Sequence, residues 1–98
     1  MPRYSARAEF RRLDRDSSWV LAGVVIGHRF WPSEPGVERV RGRLVAAGLL
    51  GWTDLPTPIV ARDADAAAEA ALELARAGWP DRRRARVPHA SGVAEPHR

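Results

Sequence analysis

His28, Glu34 and Asp54 carry the side chains best suited to proton transfer or metal ligation in the part of the chain apolar enough to fold. No spacing ties them together. There is no His-x-x-x-His pair, no Gly-x-Ser-x-Gly, no phosphate-cradling Gly loop and no second carboxylate at a useful interval. His28 follows an apolar run, where a site can open, but a lone His in such a place is most simply a surface residue. His89 and His97 fall in a tail expected to be too mobile for preorganised chemistry. Cysteine is absent, which removes disulfides, thiolate nucleophiles and Cys-based zinc or iron–sulfur sites and fits a reducing cytoplasm. With no positioned nucleophile or base, neither catalysis, metal nor cofactor is expected.

Residues suited to binding are more numerous. Every side-chain cation among the Lys and Arg total is Arg, while Lys, Asn and Gln are missing. With so much Ala, Gly, Val and Pro, this reads as coding bias in a GC-rich bacterial genome. Residues 1–79 hold eleven Arg against ten acids, and residues 80–98 hold five Arg against two, so the body is nearly neutral and the end is basic. Arg82, Arg83 and Arg84 would steer the chain towards nucleic acid or an acidic partner, or simply solvate a tail. Trp19, Trp31, Trp52 and Trp79 fall at element boundaries, where they would cap the open ends of a small core. Trp19, Phe30, Trp31 and Trp52 are also candidate interface residues, because aromatic side chains concentrate where proteins meet. Phe30-Trp31-Pro32 is the part most expected to be contacted.

The elements that must position these residues centre on Trp19–Ile26, the only long apolar run. It is too short to cross a bilayer and begins too late for a signal peptide, so neither membrane nor leader is expected. It reads as a central strand buried on both sides. Residues 3–13 alternate as a strand, although Ala6, Phe10 and Leu13 also fit a helical stripe. The loop Asp14–Ser18 favours an edge strand hairpinned to the central one. Residues 28–32 read as a connection. Ser33 then caps a helix with Val37, Val40, Leu44 and Ala47 on one face, Arg39 and Arg43 on the other, and Gly48 at its stop. Gly51–Pro58 reads as a loop, Ile59–Arg62 as a short strand, and Ala64–Ala77 as a second helix behind Asp63, ended by Gly78 and Pro80.

The predicted architecture is α+β: a small β-β-α-β-α sheet with two helices on one face, formed by residues 1–79, followed by a disordered basic tail over 80–98. Its second sheet face would be bare although the central strand is apolar on both sides. A second copy of the chain is the expected cover, with Trp19 and Trp31 near the seam. The expectation is therefore a non-catalytic cytoplasmic binding protein that acts as a homo-oligomer.

The segment Gly27-His-Arg-Phe-Trp-Pro-Ser-Glu-Pro-Gly-Val-Glu-Arg-Val-Arg-Gly-Arg-Leu-Val-Ala-Ala-Gly-Leu-Leu50 resembles the helix-turn-helix core of GntR-type winged-helix regulators. That resemblance implies an alternative fold, a winged helix-turn-helix, and an alternative function, DNA-binding transcriptional regulation. Ser33 would then open the recognition helix, and Ser33, Glu34, Arg39 and Arg43 would lie near the major groove. Arg39 and Arg43 would contact phosphate or guanine.

Overall fold

The apolar run from Val20 to Ile26 is an extended strand, and the rest of the chain is disposed about it. The computed structural model describes residues 1–87. In chain order these form β1 (Arg3–Tyr4), β2 (Ala6–Arg11), β3 (Val20–Ile26), β4 (Arg29–Pro32), α1 (Val37–Ala46), β5 (Leu50–Asp54), β6 (Ile59–Val60), α2 (Ala64–Arg76) and a 3-10 turn at Arg82–Arg84. The class is α+β. An antiparallel sheet runs β4-β3-β2-β5, and β1 pairs with β6 in a separate two-stranded ribbon.

Side-chain alternation along β2 sorts the sheet into two faces. Ala6, Ala8 and Phe10 join Leu21, Val24 and Ile26 on one of them, under Ala67, Ala68, Ala71 and Ala75 of α2. The Ala-rich surface lets α2 lie close to the strands, and Phe10 is wholly buried there, worth about 1.5–3 kcal/mol. On the other face Ala22, Val37 and Leu50 form a second cluster with Phe30, Leu44 and Val45. A bulge makes this division. The pairing steps from Glu9↔Gly23 to Phe10↔Leu21, leaving Ala22 as an extra residue turned towards α1.

The two helices thus cover opposite faces, not one face as expected. The chain leaves edge strand β4, crosses the sheet as α1 and returns as the far edge strand β5, so the face predicted to be bare is covered from within. Two segments read as loops are strands. Gly27 at φ +64° permits a tight turn after Ile26, after which the good strand formers Phe30 and Trp31 pair with β3, and Pro32 falls at the end of an edge strand. Gly51-Trp52-Thr53 pairs with β2, and Pro56 and Pro58 follow this strand instead of preventing it. Consequently β2 is an interior strand, not an edge. The stretch ahead of α1 is a β-hairpin, so α1 has no preceding helix and the alternative winged helix-turn-helix is not the fold formed.

Helix α1 starts at Val37 behind Gly36, whose φ of +94° a residue with a side chain would adopt only under strain. Ser33 does not cap it. Glu34 precedes Pro35 and is therefore kept out of helical conformation, and the Ser33 hydroxyl donates instead to the Leu21 carbonyl at 2.9 Å. Helix α2 does have its expected cap, the Asp63 carboxylate accepting from Ala66 N–H at 2.8 Å. Residues 81–86, within the stretch expected to be a disordered tail, carry defined structure. Asp81 accepts from Arg83 N–H, and Arg86 and Trp52 exchange backbone hydrogen bonds of 2.7 Å in both directions. The portion of that expectation covering 88–98, with His89 and His97, lies outside the described residues.

Candidate functional site

The four candidate interface aromatics do not gather into one patch. Trp19 and Trp31 pack against the α2-side core, and Phe30 packs in the α1-side cluster. Trp52 pairs with Glu9 in the β2–β5 register and so shares the α1 side. Each ring is met by a guanidinium of the same chain. Arg12 lies 4.5 Å from the Trp19 ring centre, Arg29 4.5 Å from Trp31, and Arg7 and Arg86 4.9 and 5.2 Å from Trp52. The Trp31 indole N–H also donates to Asp65 at 2.9 Å, tying β4 to α2.

Beneath α1 sits an acid from the interior strand β2. Glu9 is 3% exposed, and Arg41 meets its two carboxylate oxygens through Nε at 2.7 Å and Nη2 at 2.8 Å. The hydrogen bond to Glu9 is the main reason the Arg41 pKa lies above its ordinary value, with burial opposing. The same guanidinium lies 4.6 Å from the Phe30 ring centre. That ring in turn occupies the space a side chain at residue 23 would need, 2.6 Å from an ideal Cβ built on Gly23. Gly23 is the strand partner of Glu9, so Glu9, Gly23, Phe30 and Arg41 form a closed circuit joining two strands, a third edge strand and the helix. The sequence cue was weak: an acid within alternating strand residues and an Arg on the same helix face as Val37 and Leu44.

The acid–base candidates stand apart. His28 is exposed in the turn between β3 and β4, and Asp54 is exposed at the end of β5. Glu34, at the other end of the sheet, pairs with Arg11 at 2.6 Å. Among the described residues no group of three or more His, Cys, Asp or Glu could hold a metal ion. The Asp14 carboxyl lies below the usual carboxylate value, chiefly because the Ser17 hydroxyl donates to it at 3.0 Å, helped by the Asp16 N–H.

Two surface features remain. A groove of about 360 Å³ runs beside α1, with Val37, Val40 and Leu44 on its helical wall, Leu13 and Pro35 opposite, and the Arg11–Glu34 pair at its end. Leu13 is 78% exposed. Arg39 and Arg43 stand one turn apart on the solvent side of α1 and are exposed, and neither is ion-paired with another described residue. On the opposite side of the molecule α2 presents Glu69, Leu72, Glu73 and Arg76 around a shallow depression of about 440 Å³. Of the remaining candidate nucleic-acid contacts, Ser33 is engaged at the bulge, Arg82 is half-buried in the 3-10 turn, and Arg83 and Arg84 are exposed. Among the described residues no helix is long and apolar enough to cross a membrane. No family model, curated protein or solved structure matches the chain.

Proposed function

We propose that this chain is a non-catalytic cytoplasmic binding protein that works as a homo-oligomer. The observation that supports the reading is the groove beside α1, where Leu13, Pro35, Val40 and Leu44 are left partly in water. The contact surface is moved from the sheet face, which α1 occupies, to the outside of α1 itself. A core this small has little to spare, and burying such a groove against another copy would stabilise the fold as well as create a working surface. Size-exclusion chromatography with light scattering tests the reading. The native chain should self-associate at micromolar concentration, and Leu13→Asp, at an exposed loop position, should shift it towards monomer. A clean monomer for the native chain would overturn it.

A second reading is favoured by Arg39 and Arg43, two exposed guanidiniums one turn apart on a helix face. It keeps α1 as a nucleic-acid contact, as the GntR-type resemblance implied, without the helix that would precede it. A salt-dependent gel shift lost in Arg39→Ala/Arg43→Ala supports this reading. A shift that survives those changes and disappears with Arg82, Arg83 and Arg84 replaced assigns it to the basic end.

A further inference from the structure

We infer that the groove beside α1 receives the outward face of α2 from a second copy, head to tail, with Arg39 and Arg43 set against Glu69 and Glu73. The inference rests on the homo-oligomer reading and names the partner surface. An α1-to-α1 contact would bring the Arg pair of one copy against that of the other, and like charges brought together across an interface repel. Among the described residues α2 presents a pair of carboxylates at the same helical spacing, with Arg76 beside them. Glu69 and Glu73 are exposed and four residues apart on α2, as Arg39 and Arg43 are on α1, so both pairs have the same axial spacing of roughly 6 Å. None of the four is ion-paired with another described residue.

The apolar parts match as well. Val40 and Leu44 lie to one side of the Arg pair, towards the groove, while the half-buried Ala66 and Ala70 lie to one side of Glu73 and let a neighbouring helix approach closely, with the exposed edge of Leu74 beyond them. Exposed ion pairs contribute little affinity of their own, so the groove supplies the attraction and the charges select which helix enters it. Because the two surfaces lie on opposite faces of the sheet, each docked copy presents a fresh α1 groove on its far side. The contact is heterologous and propagates instead of closing as a two-fold dimer.

The test is a charge swap read by light scattering and sedimentation on the full chain. The native protein should form a concentration-dependent series extending past the dimer. Arg39→Glu/Arg43→Glu and Glu69→Arg/Glu73→Arg should each raise the association midpoint by about a hundredfold. Mixed in equal amounts, the two variants should assemble again, since every α1–α2 contact between them is once more complementary. That rescue also shows both variants to be folded. Native-like assembly of either variant alone, or failure of the mixture to assemble, overturns the inference while leaving self-association in place. An isolated native monomer removes the homo-oligomer reading itself. If Arg39→Glu/Arg43→Glu abolishes a salt-dependent nucleic-acid shift and leaves assembly unchanged, the Arg pair serves nucleic acid and the inference falls.

Discussion

Glu9 and Arg41 meet in a two-point contact of 2.7 and 2.8 Å, and the carboxylate has almost no exposure to water. Removing one partner strands the other. Arg41→Ala leaves a charged carboxylate under α1 and should destabilise the fold by roughly 2–4 kcal/mol, measured by urea unfolding. The lower end applies if water reaches Glu9 through the space left, since the Arg41 side chain is already 37% exposed. Replacing both by Leu should cost much less than the sum of the single changes, and strict additivity would argue against a coupled pair.

Gly23 and Gly42 should respond oppositely to alanine. A Cβ at 23 would collide with the Trp31 carbonyl oxygen and press into the Phe30 ring, so Gly23→Ala should cost on the order of 2–4 kcal/mol. Around Gly42 nothing lies within 4 Å of an added Cβ, so Gly42→Ala in the exposed middle of α1 should stabilise by about 0.5–1 kcal/mol. Thermal melts of the two variants moving in the same direction would contradict this placement of the ring.

Arg86 closes the free edge of β5 through its backbone. Arg86→Pro removes the N–H that donates to the Trp52 carbonyl and should cost about 1–3 kcal/mol, with a red shift in tryptophan emission as water reaches Trp52. Arg86→Ala keeps that donor and loses only the stack, so its effect should be the smaller.

Asp14 supplies a pH test. Its carboxyl is held below the usual value by the Ser17 hydroxyl first of all, so Ser17→Ala should move its titration upward towards the ordinary carboxylate value, as read by NMR. The sign follows from the lowered pKa. The loop contact contributes in full above the unfolded-state value and is lost as pH falls through the lower, folded value. A titration midpoint unchanged by Ser17→Ala would refute the assignment.

Local signals were strong where a segment's fate is decided locally. The β-branched run ending at Ile26 and the Asp63 cap before an Ala-rich helix identified β3 and α2 from residue types alone. The α+β class followed from the same signals. Other segments were decided by distant residues. Trp52 becomes a strand residue because β2 lies beside it, and Ser33 loses its capping role because the bulge at Ala22 leaves the Leu21 carbonyl within its reach. Glu9 lies on the opposite face of β2 from Ala8 and Phe10, and its partner Arg41 is supplied only by the distant α1. The groove was only half legible: Val40 and Leu44 belonged to a recognised helical stripe, whereas Leu13 joins them only through the folded hairpin.

The circuit through Glu9, Gly23, Phe30 and Arg41 fixes α1 at its underside. With one guanidinium clamped to a strand carboxylate and stacked on a ring that itself rests on bare backbone, the helix cannot roll about its long axis without breaking several contacts together. Arg39 and Arg43, on the far side of the same cylinder, therefore project from a stationary mount, and a molecule arriving there meets a backbone that has little orientational freedom left to surrender.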